Sequence, residues 1–367
     1  MNNNIFFLTL NIFSATGGIE KVCRIAGKAL YEDSVARQQR LMIWSMHDKE
    51  GDATHNRYFP TELYKCFAAR KAGFVKDAIL QGTQSKVVLL SHINLLMIAW
   101  AIKKISPSTK IILMCHGIEI WGQVSKAKAM MLSAVNEFWA VSHYTQKRIM
   151  ESHAVAANKI KVLNNCLDPY LPLPKNIVLP KNLNERYGIK EHHKVLFTLT
   201  RLSSKEKYKG YEDVIKALAE LNNSNIKYII AGKGDATELK NLQQSITTAG
   251  IADRVILAGF IPDEELAAHF NLSNCYIMPS SKEGFGIVFI EAMYYRVPVI
   301  GGNADGSMDA LQNGTLGTVV TPGNIEEIKA AIQNVLYNGA GHQPNEKLLN
   351  QKFSYGVYKE KLEGLLK

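Results

Sequence analysis

The stretch "EGFGIVFIEAM", residues 283 to 293, sets Glu283 and Glu291 eight positions apart around a glycine-containing loop and an apolar run. Read as a loop with Gly284 and Gly286 followed by a helix from about Ile287, it leaves several backbone amides without helical partners between the two carboxylates. Such amides attract an anion, and a carboxylate on each side can bind hydroxyl groups. The pattern suits a diphosphate with a hydroxylated ring at either end, which is the form of a nucleotide sugar.

Further residues could serve the same chemistry. Arg201 and Lys209-Gly210 lie in "TLTRLSSKEKYKGYEDVIKAL", after one apolar run and before a helical stretch. Two cations on one loop suit a diphosphate, because they stabilise negative charge where a bond to phosphate breaks, although a solvated basic loop has the same composition. His116, in "CHGIEIWG", closes an apolar run and precedes a glycine; it reads either as a ligand contact or as a satisfied structural histidine. Gly17 and Gly18, in "SATGGIEK", allow close backbone approach to a ligand or simply make a tight turn. "AGKGDATEL" lacks the third glycine of GxGxxG and the ending of a P-loop, so neither NAD nor a P-loop nucleotide is indicated. The chain has no DxD sequence, and its five cysteines (Cys23, Cys66, Cys115, Cys166, Cys275) are scattered without a CxxC pair. No metal and no cofactor are expected, and the thiols point to a reducing compartment.

The elements that would position these residues follow from the pattern. Short apolar runs ("IFFLTL", "LMIWSM", "KVVLLS", "KIILMC", "EFWAVS", "IKVLNN") alternate with amphipathic stretches such as "IEKVCRIAGKALYE" and "SHYTQKRIMES". A second series begins after "NNCLDPYLPLPKNIVLPKN": "KVLFTLTRL", "IKYIIAGKG", "RVILAGF", "CYIMPS" and "VPVIGG". This alternation predicts an α/β protein of two Rossmann-like domains, with parallel sheets covered by helices and a ligand site in a central cleft beyond the strand ends. The expected division is 1–168, a linker at 169–182, 183–350, and a C-terminal helix at 351–367 that packs on either domain.

Composition adds limits. The 367 residues are 47% hydrophobic and 21% charged, which are globular values. Residues 1–168 carry 21 Lys+Arg against 12 Asp+Glu and residues 169–367 carry 22 against 21, so the basicity belongs to the first half. A solvated surface explains it, and so does an anionic membrane surface, since "CFAARKAGFVKDAIL" and "KAKAMMLSAV" mix cations and apolar residues at helical spacing. Nucleic acid does not fit, because no basic stretch is interleaved with aromatics. "MNNNIFFLTLNIF" reads as a first strand rather than a signal peptide, and no apolar run is long enough to span a bilayer. A cytoplasmic protein, peripheral at the inner face of the cell membrane, is the expectation.

These motifs together resemble the retaining nucleotide-sugar glycosyltransferases of the GT-B fold, family 4. "EGFGIVFIEAM" looks like that family's E-x7-E motif, "GGIEK" its glycine loop, "RLSSKEKYKG" its Arg and Lys-Gly segment, and "VLNNCLDP" the segment before its linker; "PVIGGNADGSMDALQNGTLGTVVTP" matches its tail. The resemblance implies that Glu283 binds donor-sugar hydroxyls, Glu291 the ribose, and Arg201 and Lys209 the diphosphate, helped by Gly284, Phe285, Gly286, Ile287 and the Gly17-Gly18 loop. It places His116 beside the transferred sugar and acceptor, and counts His116, Arg201, Lys209 and Glu283 as catalytic. It implies a metal-independent hexosyltransferase using GDP-mannose or a UDP-sugar, with a glycan or polyprenyl-diphosphate-linked acceptor in polysaccharide or lipopolysaccharide assembly. A UDP-sugar epimerase and a non-catalytic nucleotide-sugar binding protein are the alternatives. Three positions depart from the family pattern: Arg296 replaces a glycine, Asn165-Cys166 replaces Asn-Gly, and Asp309 replaces Glu.

Overall fold

The computed structural model of the chain describes residues 4–174, 183–338 and 343–367. The part of the expected linker from 175 to 182 lies outside them. The chain divides into two compact units, Met1–Pro169 with Tyr355–Lys367, and Tyr170–Ser354.

The first unit carries β1 (Asn4–Thr9), β2 (Arg40–Ser45), β3 (Tyr64–Cys66), β4 (Val87–Leu90), β5 (Lys110–Cys115), β6 (Glu137–Ala140) and β7 (Ile160–Val162). They form one parallel sheet in the order β3-β2-β1-β4-β5-β6-β7. Central strands β1 and β4 are buried along their whole length, as a parallel sheet covered on both faces requires. Phe6, Leu8, Val88, Leu90, Ile111, Leu113 and Phe138 build one core with apolar residues of the helices at 71–83 and 96–105.

The second unit repeats the plan with β8 (Lys194–Leu199), β9 (Ile226–Ala231), β10 (Val255–Gly259), β11 (Cys275–Met278), β12 (Val299–Gly302) and β13 (Thr318–Val320). Their order is β10-β9-β8-β11-β12-β13, again all parallel. In each unit the first strand thus lies between the second and the fourth, so the connections depart to opposite sides. Loops at such a switch point diverge and leave a crevice at the carboxyl ends of the strands.

The eleven apolar runs all become strands, in two Rossmann-like domains as expected. The strands β3 and β13 were not anticipated. Both are three-residue edge strands without an apolar run of their own, and only their neighbours define them.

The C-terminal helix expected at 351–367 is corrected. Helix Glu346–Phe353 stops at Ser354, whose extended backbone (φ −67°, ψ 153°) separates it from helix Tyr355–Leu365. The latter belongs to the first unit, where Tyr355 donates to Glu32 at 2.9 Å and Arg37 to the Glu363 carbonyl at 2.9 Å. Among the described residues no helix is long and apolar enough to cross a membrane. All five cysteines are free thiols, and all but Cys66 are buried.

Candidate functional site

In the second unit the switch point lies between β8 and β11, and the loops that follow those strands carry Arg201, Lys209 and Glu283. A short 3-10 turn, Lys207–Lys209, ends at Gly210, whose φ of +80° favours glycine and where a Cβ would collide with the Pro279 carbonyl after β11. Backbone contact therefore draws the two loops together, and Ser281 N–H donates to the Tyr208 carbonyl at 2.9 Å. The result is an ion pair, Lys209 Nζ to Glu283 Oε2 at 2.5 Å, between side chains 14% and 18% exposed. Burial alone would lower the Lys209 pKa, but the Glu283 carboxylate outweighs it and holds the ammonium above its ordinary value. Lys209 therefore keeps its charge at neutral pH.

Helix Ile287–Tyr294 starts beside this pair. Its N-cap is Gly286 (φ +83°, ψ 69°), no side chain caps it, and no acidic residue occupies its first turn. A side chain at Gly286 would run into the Phe289 ring, so glycine keeps the amino end open. Glu291, one turn in, is 4% exposed. Phe285 is buried and packs edge-on against Phe353 at 5.5 Å, so it presents only its backbone to a ligand.

Arg201 leaves the same loop as Lys209 but is 72% exposed and pairs with Glu206. The structure gathers these charges around Tyr208, which the sequence did not single out. Burial raises the Tyr208 hydroxyl pKa first of all, with Lys209 and Arg201 opposing and Glu206 and Glu283 adding to it.

Asp305 was also missed. This carboxylate, 1% exposed, accepts hydrogen bonds from Glu283 N at 2.6 Å, Ser280 Oγ at 2.8 Å and Ser307 N at 2.9 Å. Burial pushes its pKa up to about 6 against those bonds, and the nearby Glu283 charge adds to the rise. Asp309, the expected departure, is half-buried on the short helix that follows.

In the first unit the loop after β1 leads through Gly17, the N-cap of helix Gly18–Ala36. Neither glycine is required by the turn. Gly17 has an ordinary φ of −79°; a Cβ there would meet only the flexible end of Glu20, and one at Gly18 nothing within 4 Å. What holds the loop is Asp48, another residue the sequence did not reveal. It accepts from the amides of Ile12 (2.9 Å), Phe13 (3.0 Å) and Ser14 (3.1 Å) and from the hydroxyls of Ser14 and Tyr64. Burial would raise its pKa, but these bonds win and depress it.

His116 ends β5. Its Nε2 donates to the Ser91 carbonyl after β4 at 2.8 Å, which leaves Nδ1 as the acceptor in the neutral ring. Glu119 Oε1 receives the amides of His116 (2.5 Å) and Gly117 (3.1 Å) and fixes the turn. Beside it, His92 has a lowered pKa, mainly from burial, with His116 and Lys128 contributing and Glu119 opposing. Among the described residues no group of three His, Cys, Asp or Glu side chains is placed to hold a metal ion.

Residues 181–352 match the model of the family described as glycosyl transferases group 1. The chain is 28% identical over 239 residues to the GDP-mannose-dependent alpha-(1-6)-phosphatidylinositol monomannoside mannosyltransferase of Mycolicibacterium smegmatis, covering 62% of this chain and 61% of that protein. It is 33% identical over 156 residues to the alpha-D-kanosaminyltransferase of Streptomyces kanamyceticus, covering 42% and 39%. The chain thus spans about three fifths and two fifths of the lengths of these curated relatives. The crystal structure of Anabaena HepE in complex with UDP and glucose matches with a TM-score of 0.81 over 100% of this chain and 99% of that one, at 19% identity, a likeness of fold.

Proposed function

We propose that the chain, whose residues 181–352 match the model of the group 1 glycosyltransferases, transfers a hexosyl group, with retention, from a nucleoside-diphosphate sugar to a glycan or lipid-linked acceptor. The observation that carries this reading is the Lys209–Glu283 pair beside the uncapped amino end of helix Ile287–Tyr294, at the switch point of the second sheet. Lys209 and the amides of Gly286 and Ile287 receive the diphosphate, with Arg201 swinging from Glu206 to join them. Glu283 binds hydroxyls of the transferred sugar and Glu291 those of the ribose. For Gly17, Gly18 and His116 of the first unit, the proposed donor and acceptor roles are supported by the sequence motifs alone.

The bond from the anomeric carbon to the diphosphate oxygen breaks as the acceptor oxygen bonds to the same face, and the departing phosphate oxygen takes the acceptor's proton. Lys209, Arg201 and the helix amides stabilise the charge that develops on the diphosphate. Metal independence is part of this proposal: Lys209, Arg201 and the helix amides would neutralise the diphosphate charge that a divalent ion otherwise neutralises. A GDP-mannose donor is supported by the name of the mycobacterial relative, a UDP-sugar by the ligands of the HepE crystal.

A membrane-borne acceptor is supported by one face of the first unit. Helices Lys71–Thr83, Leu96–Ile105 and Lys126–Leu132 pack side by side and expose Leu80, Met97, Ile105 and Met130 together with Lys71, Lys76, Lys104 and Lys126. Apolar side chains among cations suit an anionic bilayer surface at the cytoplasmic face of a bacterial membrane. Binding to anionic vesicles that weakens with salt is expected; equal binding to neutral vesicles, or none to either, removes this part.

Product analysis with candidate donors and acceptors, in chelator, tests the reaction. A glycoside with the donor's anomeric configuration is expected. Epimerised nucleotide sugar formed without acceptor, or nucleotide binding without turnover, supports the epimerase or the binding protein instead.

A further inference from the structure

The peptide of Glu283 is gripped from two sides by the loop after β12. Its N–H donates to Asp305 Oδ2 at 2.6 Å, and its carbonyl accepts from Gly306 N at 2.8 Å. The same Asp305 Oδ2 receives Ser280 Oγ at 2.8 Å, while Oδ1 receives Ser307 N at 2.9 Å. A Cβ at Gly306 would collide with the carbonyls of Gly284 and Glu283, so the two loops touch backbone to backbone. We propose that Asp305 is a positioning residue for the transfer reaction, one that fixes where Glu283 presents its carboxylate to the donor sugar. The inference rests on the reading of Glu283 as a sugar-binding residue.

The chemistry calls for a carboxylate. Donors surround its two oxygens, and an asparagine would turn its NH2 toward a donor whichever way the amide faced. The Glu283 side chain leaves from the gripped peptide, so a slip of that backbone misplaces its carboxylate, whereas Lys209 leaves from the separate Lys207–Lys209 turn, held by its own N–H to the Glu206 carbonyl at 3.1 Å. Displacements of about 1 Å cost on the order of 10²-fold in rate where reacting groups must be aligned. Glu291, on the helix, does not depend on that peptide, so nucleotide binding is spared.

The test uses the full chain with Asp305→Asn, and with Ser280→Ala, which removes only one hydrogen bond to Asp305 and preserves the fold if Asp305→Asn does not. Three readouts are taken: amide exchange over residues 279–286, affinity for GDP or UDP alone, and turnover of the donor. With Asp305→Asn, exchange speeds up, nucleoside-diphosphate affinity stays within about 3-fold, and turnover falls by about 10- to 100-fold. Ser280→Ala gives the same pattern, about 10-fold weaker in turnover. Unchanged exchange overturns the proposal, as does faster exchange with turnover intact or with nucleotide affinity falling in step. A wild-type chain that binds no nucleotide sugar defeats the functional reading instead, and the exchange comparison still decides whether Asp305 anchors the loop.

Discussion

Each unit holds a loop of its switch point with a buried aspartate, yet the two carboxylates are poised in opposite directions. Asp48 in the first unit is surrounded by three amides and two hydroxyls, and its pKa is depressed. Asp305 in the second unit accepts from two amides and from the hydroxyls of Ser280 and Ser307, lies near the Glu283 charge, and is raised to about 6. Burial raises both; at Asp305 heavier burial and the Glu283 charge outweigh the hydrogen bonds, and at Asp48 the hydrogen bonds prevail. The first anchor stabilises its ionised form; the second is held ionised at neutral pH at a cost in stability, next to the residues that would meet the donor.

The largest expected effect comes from removing the saturated anchor. Asp48→Ala leaves several buried donors unpaired and should destabilise the first unit by about 4 kcal/mol, read by hydrogen exchange for each unit separately. Equal loss in both units would break the comparison.

At the second anchor's site, Lys209→Ala should lower turnover by about 10²-fold, or about 2.7 kcal/mol, if its charge acts on the departing diphosphate. Near-normal turnover would remove Lys209 from the chemistry.

The pH dependence comes next. A raised carboxyl contributes most stability below its unfolded value and loses it as pH rises through about 6, whereas the depressed Asp48 contributes above the ordinary carboxyl range and loses it as pH falls. Wild type should therefore gain about 2 kcal/mol relative to Asp305→Asn between pH 7.5 and 4.5. His269, buried and lowered, titrates in both proteins and cancels. A pH-independent difference would contradict the assignment of Asp305.

The smallest effect concerns Arg296. Helix Ile287–Tyr294 closes with Arg296 N donating to Met293 O at 3.0 Å and Val297 N to Ala292 O at 3.0 Å, which places Arg296 at φ +61°. That closure favours glycine, so Arg296→Gly should raise stability by about 1 kcal/mol despite losing the exposed pair with Glu346. A loss of stability would show that the pair outweighs the strain.

What the sequence revealed and what it hid differ in range. Glu283, Gly286 and Glu291 lie on one continuous loop and helix, so spacing alone exposed them, and the apolar runs exposed all but the two edge strands. Asp48 follows the loop it anchors by 34 to 36 residues, and Asp305 follows Glu283 by 22, so no local pattern links either carboxylate to its donors. Arg201 shows the converse: its position after β8 was legible, but its pairing with Glu206 at the surface was not. The Gly17-Gly18 pair was read as a tight turn or an approach to a ligand, and packing within its unit does not demand it.

The central claim is that the second unit binds the diphosphate of a nucleotide sugar. Thermal stability of the full chain, in chelator, with GDP, UDP, ADP and their common sugars tests it most directly. Stabilisation by one nucleotide family is predicted, by about 2.7 kcal/mol at 100 times the dissociation constant, and lost in Glu291→Gln and Lys209→Ala. No shift with any of them, or a shift unaltered by both substitutions, would contradict it.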